Sequence, residues 1–442
     1  MPSEIAGQDA PDMKKLQQAL VDKLKHSGYI TSSRVEAAFR AVPRHLFLPH
    51  LAPQEVYQDR AIMTKQVDGQ YVSSSSQPAI MAIMLEQLDL RPGQRVLEIG
   101  AGTGYNAALM AHIVGESGHV VTLDIDDDLV EGARMHLASA GYERVQVVCA
   151  DGGLGYPSAA PYDRIVLTVS SADITPAWRE QLRQGGRFLL PLAVRGPQIS
   201  VAFESLPDQG YWRSSSIRPC GFVGLRGAFV GESHEIQLTP EPGRVLLRLN
   251  EQTEIDPNAV LGLLQGPYHD MPTDVRVHVH DLFWDLNFWI AAHSPHVCTV
   301  IAYGEATQKH LLPGLLPLPA NVTMQQSSAT GLFANGSLAL IHSTLAETQP
   351  ENTRPASSQP STSPLLALYV RSYGEDDRLA QQLVDSVRAW DSMGHQSEQK
   401  LQIRVYPCEH TTGEQRDMSL DADAHDILVE RIWSRFVFHW SS

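Results

Sequence analysis

Three glycines alternate in the run Arg95-Val-Leu-Glu-Ile-Gly-Ala-Gly-Thr-Gly-Tyr: Gly100, Gly102 and Gly104. Glycine tolerates positive φ and lets backbone approach a ligand closely. A strand feeding such a turn presents amide groups at a helix N-terminus. The spacing is G-x-G-x-G rather than the G-x-G-x-x-G of dinucleotide folds, and the Lys-Ser/Thr pair of a phosphate loop is missing. A turn without a phosphate-neutralising residue suits a ligand with an amino-acid end and a nucleoside end, as in S-adenosyl-L-methionine. Asp124 stands where an acid can accept both ribose hydroxyls. A helix N-cap is its alternative role, for which Asp126, Asp127 and Asp128 are better candidates. Asp151-Gly152-Gly153 can hold an adenine amine and leave room for the ring, or form a plain turn. Glu98, inside the strand, needs buried partners and is expected to order the loop rather than do chemistry.

These residues require a strand before each of their turns, and the sequence supplies them. Val96–Ile99, Val120–Asp124, Val145–Ala150 and Arg164–Thr168 read as strands, with helices over Tyr105–Val114 and Asp127–Ala140. Such alternation implies an α/β, doubly wound, Rossmann-like and mostly parallel sheet. A short helical piece at Trp178–Arg183 and a strand at Arg187–Pro191 continue it. Upstream, residues 12–42 have helical spacing, with Ser32-Ser33 offering an N-cap, and the proline-bounded segment 42–49 reads as extended. This gives a first domain over 1–235. An α+β accessory domain is expected over 236–442. It should hold strands at Val245–Leu249, Arg276–His280, Leu365–Arg371 and Leu401–Pro407, and a hairpin at Gly331–His342 turning on Asn335-Gly336. Helices are expected at Asp376–Trp390 and His425–Trp440, and a flexible Pro/Ser/Thr-rich loop at 348–364.

The 442 residues carry a formal net charge of −16, which argues against non-specific nucleic-acid binding. No apolar run reaches the ~20 residues of a membrane helix, and the N-terminus lacks an apolar signal core. Four scattered cysteines, Cys149, Cys220, Cys298 and Cys408, form no C-x-x-C pair, so neither structural zinc nor a disulfide framework is expected. A cytoplasmic location fits best. His278, His280, His293 and His296 resemble a metal cluster but lack a fixed Cys, Asp or Glu companion. Packing or surface roles are expected, and no metal.

Six segments occur in an informative order: VPRHLFLP (42–49), VSSSSQP (72–78), RVLEIGAGTGYNAAL (95–109), ADGGLGYP (150–157), APYDRIVLT (160–168) and QLRQGGRFLLPL (181–192). Together they resemble the protein-L-isoaspartate O-methyltransferases. The likeness covers roughly residues 12–230. It implies transfer of a methyl group from S-adenosyl-L-methionine to a carboxylate of a damaged protein or peptide containing isoaspartate, giving an ester that collapses to a succinimide. By that likeness Ser76 is the active-site serine. Ser73, Ser74 and Ser75 line the cofactor and peptide, and Gly100, Gly102, Asp124, Asp151 and Gly152 are cofactor contacts, with Glu98, Thr103, Gly104 and Ile125 beside them. Thr64, Gln77, Val223 and Arg226 are the candidate substrate-binding residues.

The chain departs from the family in its four-serine run and in Gly224, where a Val-Pro-Leu pattern is usual. Arg226 can hold a second carboxylate bidentately, and Lys65 adds a cation near the entrance. These changes and the long C-terminal extension resemble a branch that methylates a chosen aspartate in a ribosomally made precursor peptide. A non-catalytic cofactor-binding adaptor is the alternative from another class. The C-terminal half is expected to bind the peptide, cover the site or form a homodimer. Its aromatic run Phe283–Trp289 reads as core.

Overall fold

The computed structural model describes residues 12–67, 70–206, 210–229, 234–240, 243–250, 254–279, 282–308, 311–314, 326–346, 364–395, 400–408 and 426–441. Helices α1 (Met13–His26) and α2 (Ser33–Ala41) open the chain, capped by Asp12 and by Ser32, whose side chain accepts from the Val35 amide. The segment after α2 is not extended: Arg44–Phe47 forms a 3₁₀ turn, which buries both Arg44 and Phe47. A four-residue helix α3 (Pro53–Val56) leads into a hairpin, β1 (Ile62–Val67) and β2 (Gln70–Ser75), which ends in the serine run. Helix α4 (Pro78–Leu88) begins directly after it, with Pro78 in the first turn, where its missing N–H is not needed.

The alternating unit follows: β3 (Arg95–Ile99), α5 (Tyr105–Val114), β4 (His119–Asp124), α6 (Asp127–Ser139), β5 (Gln146–Cys149) and β6 (Tyr162–Leu167). Val96, Leu97, Val120, Val121 and Leu123 are fully buried, as parallel strands covered on both faces must be. Helix α7 (Pro176–Gln181) then leads to the long antiparallel strands β7 (Leu182–Ala193), β8 (Gln198–Leu206) and β9 (Tyr211–Cys220).

A second, antiparallel sheet contains β10 (His234–Thr239), β11 (Val245–Leu249), β12 (Tyr268–His278), β13 (Val297–Tyr303), β14 (Gln326–Ala334), β15 (Ser337–Leu345) and β16 (Leu365–Tyr373). Helix α8 (Pro257–Gln265) packs beside β10, and the helix Arg378–Ser392 lies on the face made by β12, β14, β15 and β16. The hairpin at Asn335-Gly336 forms as expected, with φ of 51° and 72° at the two turn residues, the positive values a tight two-residue turn requires.

The end of the chain differs from expectation. The described residues of the expected helix 425–440, from 426 onward, do not form a helix. They make β18 (Ile427–Glu430) and β19 (Ser434–Trp440), which join β17 (Leu401–Pro407). Phe436, Val437 and Phe438 are buried, and pairing along β17 outweighs the helical spacing of Ile427, Leu428, Ile432 and Phe436. β17 in turn hydrogen-bonds to β9 through Arg404 and Val405. The first sheet therefore runs β18-β19-β17-β9-β8-β7-β6-β3-β4-β5. The division expected at 235/236 falls at the start of β10, yet these three later strands extend the first sheet. The 348–364 loop lies outside the described residues apart from its last position.

Phe288 and Trp289, in the helix Asn287–His293, are buried where the two sheets meet, against Phe438 and Trp440. The His293 ring lies against Trp289 and Trp440, a packing position. His280 lies outside the described residues.

Candidate active site

The C-terminal edges of β3, β4 and β6 open on a cleft with an empty volume of about 770 Å³, counting the part open to solvent. The glycine turn forms its floor. Gly100 and Ala101 both donate their amides to the Leu123 carbonyl at 2.8 Å. Gly100 has φ of 105°, and a Cβ there would collide with the Thr168 hydroxyl, so only glycine fits this crossing of β3 and β6.

Asp124 closes the second wall. Its Oδ2 accepts from the Gly102 amide at 2.9 Å and its Oδ1 from the Ile125 amide at 2.9 Å. Burial pushes its pKa up, against those amide donors. A carboxylate offers about four lone-pair sites, so Oδ2 keeps one for a hydroxyl. Glu98 sits behind the turn and not on the cleft wall. It accepts from Asn106 Nδ2 at 2.7 Å and from the Thr122 hydroxyl at 2.6 Å, so it ties the first turn of α5 to β3 and β4. Desolvation raises its pKa to about 7.

The serine run faces the glycine turn. Ser73, Ser74, Ser75 and Ser76 all line the cleft. Behind them lies Arg44, fully buried, donating to the Ser75 hydroxyl at 3.3 Å and to the Ser76 carbonyl at 3.0 Å. Its guanidinium lies 5.8 Å from the centre of the Tyr105 ring. Desolvation lowers its pKa; sequence reasoning placed Arg44 in an informative motif but assigned it no role in the site. Thr64 is one step removed, donating to the Ser73 hydroxyl at 3.0 Å. Gln77 bonds the Asp59 carbonyl and is also off the wall.

The far wall is the segment after β9. Val223, Gly224, Leu225 and Arg226 line the cleft, held by Ser170 through two backbone bonds of 2.8 Å. Arg226 does not present a free guanidinium. It grips Asp126 through both terminal nitrogens, at 3.2 and 2.7 Å. Lys65 reaches the same carboxylate at 2.8 Å and Asp128 at 2.6 Å. Asp126 occupies the N-cap position of α6, but its side chain makes no capping bond. The Arg226 pair, then Lys65, hold its pKa below the ordinary value. The two cations expected to await a substrate carboxylate thus join the β1–β2 hairpin, the turn after β4 and the segment after β9.

Asp151 is also committed. Its Oδ1 accepts from Gly153 at 2.9 Å and its Oδ2 from Ala228 at 2.7 Å. Gly152, not Asp151, reaches the cleft wall, as do Gly100, Gly102, Thr103 and Ile125, whereas Gly104 does not. Sequence reasoning missed Thr168 and Asn106. Both stand where such a fold places ligand contacts, at the end of a central strand and in the first turn after the glycine loop. Among the lining residues only Asp124, Arg226 and Tyr105 ionise, and burial pushes the Tyr105 pKa upward. No lining residue is a histidine, lysine or glutamate that could serve Ser76 as a general base.

The family model for "Protein-L-isoaspartate(D-aspartate) O-methyltransferase (PCMT)" matches residues 14–228. A protein-L-isoaspartate O-methyltransferase of Hyperthermus butylicus is 38% identical over 234 residues, which span 51% of this chain and 95% of that protein. This chain belongs to the protein-L-isoaspartate O-methyltransferase family. Another relative of that name, from Methanopyrus kandleri, is 39% identical over 221 residues, covering 50% of this chain and 95% of its own length. A solved protein-L-isoaspartate O-methyltransferase structure aligns over 88% of the chain and 96% of its own, at 22% identity and a TM-score of 0.47. The family match ends before β10, so the second sheet lies outside it.

Proposed function

We propose that this chain is an S-adenosyl-L-methionine-dependent carboxyl O-methyltransferase acting on isoaspartyl residues of proteins or peptides. The observation that carries this reading is the cleft itself: a nucleoside-binding wall of glycines and Asp124 faces a serine run with no general base beside it. The residues fit the cofactor. Asp124 Oδ2 has a lone-pair site for a ribose hydroxyl, and Gly102 keeps clear the space between the glycine turn and the serine run, where a Cβ would stand 3.5 Å from the Ser74 carbonyl. When bound, S-adenosyl-L-methionine supplies a methyl group on a sulfonium.

A carboxylate acceptor is ionised at neutral pH, so no side chain need remove a proton. The protein's task is to orient and desolvate, which can supply several kcal/mol of the barrier. The Ser76 hydroxyl donates one hydrogen bond to the acceptor carboxylate and sets its direction. One bond is enough, because further donors would stabilise the anion and blunt its attack. Arg44, behind Ser75 and Ser76, fixes that loop and adds positive potential beneath it. The buried walls keep water out as the opposite charges of the two reactants cancel. The methyl ester leaves the site and closes to a succinimide by attack of the neighbouring backbone nitrogen, releasing methanol. Four unpaired cysteines support a reducing compartment, the cytoplasm.

The test incubates the full chain with methyl-labelled cofactor and two peptides that differ only in an isoaspartyl or aspartyl linkage. Label should enter the isoaspartyl peptide as a base-labile ester. No transfer to either peptide would leave only the adaptor role. Preference for the aspartyl form would move the assignment to dedicated modification of a precursor peptide.

A further inference from the structure

The turn between β18 and β19 packs against Phe229, behind one wall of the methyltransferase cleft. Trp433, within it, is fixed along its backbone. Its amide donates to the buried Asp173 carboxylate at 2.8 Å, and its carbonyl accepts from the Cys408 amide at 2.8 Å and from Arg179 at 3.1 Å. Its indole packs on Phe229 with ring centres 4.9 Å apart. The Phe229 ring in turn lies against Gly153 so closely that a Cβ on that glycine would collide with it. One residue earlier, the Ala228 amide bonds Asp151. From the other side, Trp178 donates to the Gly152 carbonyl at 2.8 Å and Thr175 to the Gly153 carbonyl at 2.9 Å. The Asp151–Gly153 turn, which supplies Gly152 to the cleft, is therefore gripped between α7 and the segment 227–229. On that outer grip Phe229 packs against the core beneath the first sheet, and the Trp433 indole backs its ring.

We propose that Trp433 is a positioning residue for cofactor binding, acting through Phe229 and Ala228 on Asp151 and Gly152. The C-terminal hairpin thereby completes one wall of a site whose other residues all lie before residue 230. This rests on the reading that the cleft holds S-adenosyl-L-methionine. Without the indole, the Phe229 ring loses the surface that presses it onto Gly153. The Ala228–Asp151 bond then opens more often, and the cleft wall must be ordered on each binding event.

The experiment measures S-adenosyl-L-homocysteine affinity by calorimetry on the full chain, with hydrogen exchange over 224–229 alongside. Trp433→Ala should weaken binding about five- to tenfold, as expected when loosely held segments must be immobilised. It should also speed exchange at the Ala228 amide while leaving α5 protected. Trp433→Phe should restore both. Phe229→Ala should resemble Trp433→Ala, and the double variant should be no worse than either alone, because both remove one shared contact. Affinity within twofold of wild type in a folded Trp433→Ala protein, or additive losses in the double variant, would overturn the proposal. If Trp433→Ala does not fold, Phe229→Ala decides: unchanged affinity and unchanged exchange over 224–229 overturn it. A wild type that binds the homocysteine product but methylates no isoaspartyl peptide would refute the proposed function and leave this inference standing.

Discussion

Replacing Glu98 by glutamine changes one atom and tests how far burial governs this site. Glu98 is completely enclosed, and its carboxyl titrates near 7 instead of the ordinary 4.5. Desolvation drives the rise, and the donors Thr122 and Asn106 oppose it. A carboxyl with a raised pKa binds its proton more tightly when folded, so ionisation at neutral pH destabilises the fold. The penalty is absent below about pH 4.5, grows through the interval to 7, and is complete above it. At about 1.4 kcal/mol per tenfold, the full penalty is about 3 kcal/mol. Glutamine escapes it but cannot accept from both neighbours, at a cost of about 1–3 kcal/mol at every pH. Urea denaturation of wild type and Glu98→Gln should therefore give curves that cross. The variant is weaker near pH 5 and matches or exceeds wild type by about 1–2 kcal/mol at pH 8. Taking the difference between variants removes every other titrating group. A difference that stays constant from pH 5 to 8, or that moves in favour of wild type as pH rises, refutes the reasoning.

Asp126→Ala unties Lys65 and Arg226 together, and because the groups are part-exposed it should cost no more than about 1 kcal/mol of stability. Its clearer effect should be faster release of S-adenosyl-L-homocysteine in stopped-flow, since three cleft segments lose their shared ion pair. The depressed Asp126 pKa means that this tie persists above pH 3.8 and fails only as pH falls through the lower folded value. Ser76→Ala should lower turnover on an isoaspartyl peptide about tenfold or more while cofactor affinity stays within twofold, consistent with loss of one positioning hydrogen bond. A cofactor affinity that falls in parallel would place Ser76 on the cofactor side. Gly152→Ala drives a methyl into Ile99 and should cost about 1–3 kcal/mol, read as a lower urea midpoint, with cofactor affinity falling as well.

The half of the fold that carries the cofactor wall was legible because each local signal agreed with the next. The helix Tyr105–Val114 has the boundaries expected of it, since Gly104 and Gly115 punctuate it at both ends. Strands β3 and β4 are short, mainly apolar runs that end at a glycine or an acid. What stayed hidden depends on contacts between distant residues. Arg226 and Asp126 lie 100 positions apart, and nothing in either neighbourhood marks them as partners. The serine run was visible as a motif but not as a strand, because serine does not favour the pleat. Ile427, Leu428, Ile432 and Phe436 satisfy a helical spacing, while Phe436 and Phe438 also satisfy an alternating one. Short apolar runs cannot choose between the two, and here β17 made the choice.

The return of β17, β18 and β19 to the first sheet has a consequence for the order in which the protein can be made. As the chain leaves the ribosome, the methyltransferase strands appear first. The outer edge of β9 then stands open while the whole second sheet is synthesised. An unpaired edge is a template for any passing strand, and Trp212 lies on this one, opposite the later Val405. The Phe229 ring likewise waits for Trp433. Maturation of the cleft is thus a late event: the nascent enzyme can assemble its glycine turn early, but it acquires its full sheet and a braced cofactor wall only when the last strands arrive.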